Sequence, residues 1–203
     1  MCTAGRKSFD PLLSTNDTIR EFLQSYYGSA AAELVFQYYD VMSQAYRDAP
    51  TVNITWPPAA AARGDHSPLD WGKPNSTAYP ARAVMGAGEL LANATAAAAA
   101  AGSPAGVERL MELRLGLNYL ALLRWEELQA FAAAQKLSWP FGPSKRATFV
   151  SFSQILTASW GEAGWLGKTP LVSRGRPQCD LHCFEAELFP GDLGEETSRT
   201  HGG

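Results

Sequence analysis

Long apolar runs are missing from this chain. Crossing a bilayer as a helix takes about 20 consecutive, mostly apolar residues. The longest uncharged stretch, around Leu90 to Ala101, is mostly alanine and too weakly apolar for that. Concentrated positive charge is missing too. The net charge is −3 and no segment gathers Lys and Arg, whereas a phosphate backbone is bound by a clustered basic surface. Neither a membrane nor nucleic acid is expected as a partner.

Metal-binding and nucleophilic residues are also scarce. There are three cysteines and three histidines. Cys179-Asp180-Leu181-His182-Cys183 places two thiols and an imidazole close together, but zinc takes four ligands in a tetrahedron. The remaining histidines, His66 and His201, form no second Cys/His pair. Cys179 and Cys183 are expected to form a local disulfide or to remain two free thiols, and neither a metal nor a cofactor is expected. There is no Gly-x-Ser-x-Gly elbow. Gly86-Ala87-Gly88 lies within helical periodicity rather than after a strand, so it does not read as a phosphate loop.

Asparagine is the exception to this scarcity. Of five asparagines, four open an Asn-x-Ser/Thr sequon: Asn16-Asp17-Thr18, Asn53-Ile54-Thr55, Asn75-Ser76-Thr77 and Asn93-Ala94-Thr95. Chance would give fewer than one match among five. Asn16, Asn53, Asn75 and Asn93 are thus candidate glycosylation sites, and the protein is expected in the secretory pathway or outside the cell. Met1-Cys2-Thr3-Ala4-Gly5-Arg6-Lys7 has no apolar core of its own, so a leader is expected upstream.

Hydrophobic residues make up 46% and charged residues 18%, enough apolar material for one core. Apolar side chains recur every three or four residues. Ile19, Phe22, Leu23 and Tyr26 mark a first helix, with Thr18 and Glu21 spaced for a capping box and Gly28 placed to end it. Val35, Tyr38, Tyr39, Met42 and Tyr46 mark a second helix, from about Ser29 to Arg47. Val84, Ala87, Gly88 and Leu91 mark a third, from about Ala81 to Ala101. The fourth, from about Pro104 to Gln135, carries Val107, Leu110, Leu113, Leu117, Leu120 and Ala121 on one face. Leu122, Leu123, Trp125 and Leu128 widen that face, as expected of a helix lying between neighbours. Phe149, Phe152, Leu156 and Trp160 mark a fifth, from about Lys145.

The expected fold is therefore all-α: a bundle of four to five helices over residues 9–160, with a long Pro/Gly-rich loop at 49–80 and an irregular tail at 161–203. Trp56 and Trp71 in the loop fit either stacking on a sugar face or pinning the loop to the helices. Three carboxylate pairs come into question for glycoside hydrolysis: Glu33 with Asp40, Glu126 with Glu127, and Glu185 with Glu187. Each also reads as an ordinary solvated acidic patch, and the chain alone is expected to be non-catalytic.

Phe9-Asp10-Pro11-Leu12-Leu13, followed by Ile19-Arg20-Glu21-Phe22-Leu23-Gln24-Ser25-Tyr26-Tyr27-Gly28-Ser29-Ala30-Ala31, resembles a family of uncharacterised proteins. In that family an α-glucuronidase-like glycoside-hydrolase barrel precedes a helical C-terminal portion. The likeness continues through Val107-Glu108-Arg109-Leu110 and Asn118-Tyr119-Leu120 and spans roughly residues 9–135; Ser29 departs from the proline usual there. The resemblance implies a secreted, carbohydrate-active protein whose catalytic acids belong to an upstream barrel, so no catalytic residue carries over to this chain. The expected partner is that barrel, another protein surface, or carbohydrate. A stand-alone helical interaction module with no carbohydrate role is the other reading.

Overall fold

A computed structural model of the chain describes residues 14–48 and 79–160, together with Glu185, Leu188 and Phe189. Among the described residues there are six helices and no strand: α1 (Thr15–Tyr27), α2 (Ser29–Asp48), α3 (Ala81–Ala100), α4 (Pro104–Leu123), α5 (Trp125–Gln135) and α6 (Lys145–Trp160). The all-α class expected from the periodicity is the class observed.

The ends of the helices follow local chemistry. Gly28, at φ +89°, turns the chain between α1 and α2; its N–H donates to the Gln24 carbonyl and its own carbonyl accepts from Ala31 and Ala32. At the end of α3, Gly102 (φ +67°) and Ser103 donate back to the carbonyls of Ala99 and Ala98, which satisfies carbonyls the helix leaves open. Ser103 then caps α4, its hydroxyl accepting from the Gly106 N–H, with Pro104 following at the first helical position. Thr18 does not serve as the cap of α1. The helix begins earlier, after Ser14, and the Thr18 hydroxyl donates to the Ser14 carbonyl from inside the first turn.

The segment expected to be one helix over 104–135 is two. Arg124, at φ −117° and ψ 25°, breaks it. Its buried guanidinium donates to the Tyr79 carbonyl and to both carboxylate oxygens of Glu127, at 2.5–2.9 Å. This one side chain ties the entry to α3 to the corner between α4 and α5.

The first four helices alternate in direction, each packing on the next, and α1 returns to pack on α4. The turns at Gly28 and Gly102–Ser103 meet at one end of the bundle, where Leu23, Tyr27, Val35 and Leu110 are buried among Ala31, Ala32, Ala94 and Ala98. Alanines at this α2–α3 contact allow the helix axes toward the short end of the usual range of about 8–10 Å. At the other end α5 packs on α3 and α6 on α4. Leu91, Leu122, Leu128, Phe141 and Phe152 form a second, larger cluster there. Burial on both flanks of α4 accounts for its wide apolar surface. From the segment expected to be irregular, Leu188 joins this cluster, Phe189 packs on Phe149, and Glu185 pairs with Arg146 at 2.6 Å.

The chain leaving α5 crosses α3 at Gly88, where an added Cβ would lie 2.7 Å from Pro140 and 2.8 Å from the Phe141 ring. Phe141 is buried and cannot yield cheaply. Gly88→Ala is therefore expected to lower stability by about 1–2 kcal/mol, because overpacking outweighs the gain in helix propensity. Gly86, two residues earlier, has nothing within 4 Å of the same added atom. Gly86→Ala should raise stability by about 0.5–1 kcal/mol. Urea midpoints of the two variants moving in the same direction would refute the packing assigned to Gly88.

Candidate functional site

In each acidic pair proposed from sequence, at least one carboxylate is held by a cation. On α5, Glu126 pairs with Lys145 at 3.1 Å and Glu127 with Arg124. Partial burial pushes the Glu126 carboxyl up, but its backbone N–H at the helix start and Lys145 more than reverse this, leaving its pKa below the ordinary carboxylate value. The hydrogen bond from Arg124, against some burial, does the same for Glu127. A general acid needs a raised pKa; these two carboxyls are shifted the other way. Glu33 pairs with Arg20 at 3.1 Å, and Asp40 is exposed on the same helix. Glu185 pairs with Arg146, and Glu187 lies outside the described residues. No group of three or more His, Cys, Asp or Glu suited to a metal occurs among the described residues. No helix among them is long and apolar enough to cross a membrane.

Cys179, Cys183, Asn53, Asn75, Trp56 and Trp71 also lie outside the described residues. Asn16, in the first turn of α1, and Asn93, midway along α3, are exposed. Asn118, the one asparagine without a sequon, is buried on α4 with its Oδ1 unpartnered. One turn before it, Arg114 donates to the Pro140 carbonyl at 2.9 Å, and burial lowers the guanidinium pKa. Next to Pro140, the buried Trp139 Nε1 likewise has no partner.

The most unusual arrangement is made of tyrosine. Six of the seven tyrosines form a ladder along α1, α2 and the entry to α3. Tyr26 meets Tyr27 edge to face at 4.9 Å, and Tyr38 meets Tyr39 at 5.2 Å. Tyr39 hydrogen-bonds to Tyr27, Tyr79 lies near enough to Tyr38 to influence its ionisation, and Tyr46 stands 6.5 Å from Tyr79. Phe22 extends the ladder by stacking on Tyr26 at 5.5 Å, one helical turn away. The guanidinium of Arg109, from α4, lies 4.4 Å over the Tyr26 ring and donates to the Tyr26 carbonyl, a cation–π contact that fixes the ring.

The ladder has a buried side and an open side. Tyr27 is buried and Tyr38 partly so, whereas Phe22 is 53% and Tyr46 68% exposed, with Tyr26 and Tyr39 also open to solvent. The periodicity of α1 placed Ile19, Phe22, Leu23 and Tyr26 on its inner stripe; the structure keeps Leu23 inward but turns Phe22 and Tyr26 out and Tyr27 in. The sequence signal for the ladder was the pair of Tyr-Tyr dipeptides, 26–27 and 38–39. Neighbours on a helix point about 100° apart, so each pair puts one ring in and one ring out.

Burial, reinforced by Tyr39, raises the Tyr27 phenol well above its ordinary range; burial, with Tyr39 and Tyr79, pushes Tyr38 up to about 12. A raised folded-state pKa gives stability that is whole below the unfolded value of about 10 and is lost as pH climbs through the folded value. Unfolding should therefore become easier between about pH 10 and 12. An ultraviolet titration should show late-ionising phenols, one of which Tyr38→Phe removes. Titration of every phenol near the ordinary value would contradict this.

Compared with protein-family models, curated proteins and solved structures, the chain matches none.

Proposed function

We propose that this chain is a non-catalytic helical module of a secreted, carbohydrate-active protein, lying with its tyrosine ladder against that protein's glycoside-hydrolase-like barrel. The open side of the ladder carries the reading. Phe22, Tyr26, Tyr39 and Tyr46 are large rings held out of the core, and aromatic residues grouped on a surface mark sites of association. Tyrosine suits such a site because it offers apolar area and a hydroxyl at little cost in side-chain freedom. The cation-bound state of Glu126 and Glu127 supports a non-catalytic role. The resemblance over residues 9–135 supplies the identity of the partner.

Photo-crosslinking in the native protein tests the proposal. A benzophenone side chain at Phe22 or Tyr46 should link to peptides of a barrel domain, whereas one at the exposed Gln154 on α6 should not. Links from Phe22 and Tyr46 to a separate protein would favour a stand-alone interaction module instead. The absence of links from either position would overturn both readings.

A further inference from the structure

We infer that Asn16 and Asn93 carry N-linked glycans and that both are attached before the helices containing them form. The inference rests on the sequons and their surroundings, not on the docking of the tyrosine ladder. Both asparagines are exposed, while Asn118, outside any sequon, is buried. Exposure therefore divides the described asparagines as the motif does.

The setting of Asn93 adds a second argument. Asn93 and Thr95 are the only polar residues between Glu89 and Ser103, in a stretch otherwise made of leucine, alanine and Gly102. Both residue types are poorer helix formers than alanine, by up to about 0.7 kcal/mol each. Thr95 satisfies its hydroxyl only within its own helix, on the Leu91 carbonyl at 2.7 Å. The fold gains nothing evident from either residue at these positions, but together they complete an acceptor.

Transfer joins the Asn Nδ2 to the anomeric carbon of an oligosaccharide carried on a lipid pyrophosphate. The carbon–nitrogen bond forms as the bond from that carbon to the phosphate oxygen breaks; the lipid pyrophosphate leaves and the amide gives up one proton. The enzyme must engage the asparagine and the hydroxyl two residues later together. Side chains at i and i+2 of a helix diverge by about 200° and do not face each other. The Thr18 hydroxyl is moreover committed to the Ser14 carbonyl and buried, and Thr95 is committed to Leu91. The folded helices thus hide half of each acceptor, and only the extended nascent chain presents it.

The native protein, unfolded and treated with a glycan-removing amidase in heavy-oxygen water, should yield peptides with labelled aspartate at positions 16 and 93. Unmodified asparagine at either position overturns the inference for that site. The order of events is tested in a secreting eukaryotic host. Asn93→Gln, an exposed change, should remove one glycan, and the folded Asn93-unglycosylated chain offered to the transferase in vitro should remain unmodified while the urea-unfolded chain is modified. Equal modification of both forms would overturn attachment before folding.

Discussion

Phe152→Ala is expected to destabilise the fold by about 3–5 kcal/mol, a large share of the roughly 5–15 kcal/mol that holds a domain together. Phe152 is among the largest fully buried side chains, on the face that seats α6 against α4, with the Tyr119 ring at 6.4 Å. Phe149 and Leu156 flank it on the same stripe. The cluster around Phe152 draws on α3, α4, α5 and α6 together, so the site cannot close over the lost ring and a cavity remains. Gln154, exposed on the same helix, is the control: Gln154→Ala should change stability by less than about 0.5 kcal/mol. Denaturant unfolding followed by circular dichroism separates the two. A loss below about 1 kcal/mol in Phe152→Ala would mean that α6 does not pack on α4 in this register.

The next largest effect is expected at Arg124. Arg124→Ala should cost about 2–4 kcal/mol, since it removes charge-assisted hydrogen bonds to Glu127 and leaves the Tyr79 carbonyl without its donor. The figure stays below the upper range for broken buried pairs because Glu127, about half exposed, can be rehydrated. Arg124→Lys should recover less than half of the loss. A lysine is a point donor and cannot reach the carbonyl and both carboxylate oxygens in one plane. Glu127→Gln should cost less than Arg124→Ala, as the guanidinium keeps the Tyr79 carbonyl. Full recovery by lysine in thermal melts would show that charge alone matters at this corner.

That corner also marks where reading the sequence reached its limit. The first three helices, the stop at Gly102 and the stripe of Phe149, Phe152 and Leu156 all follow from spacing and from glycine and proline. The break at Arg124 does not, because no glycine or proline stands there and Leu122-Leu123-Arg124-Trp125 reads as continuous helix. The break is stabilised by the carbonyl of Tyr79, far away in sequence, and local pattern carries no trace of such a partner.

The inward rotation of α1 was hidden for a related reason. Tyrosine serves equally in a core and on a surface, so periodicity alone could not decide which ring of each Tyr-Tyr pair is buried. Ala31, Ala32, Ala94 and Ala98 read as helix formers, whereas they also form the close contact of α2 with α3. Of the candidate site, the acidic pairs were visible in sequence, but the cations beside Glu33, Glu126, Glu127 and Glu185 were not. Lys145 comes to Glu126, and Arg20 to Glu33, only through tertiary packing.

The two helices with the most extensive mutual contact, α2 and α3, are separated in the chain by residues 49–80. The α1–α2 and α3–α4 hairpins close through turns of a few residues and can each assemble locally. Their union requires the longer closure, and the entropy of closing a chain grows only logarithmically with its length. Doubling the chain between Asp48 and Tyr79 would thus add only about 0.6 kcal/mol to the entropic cost of bringing the two hairpins together.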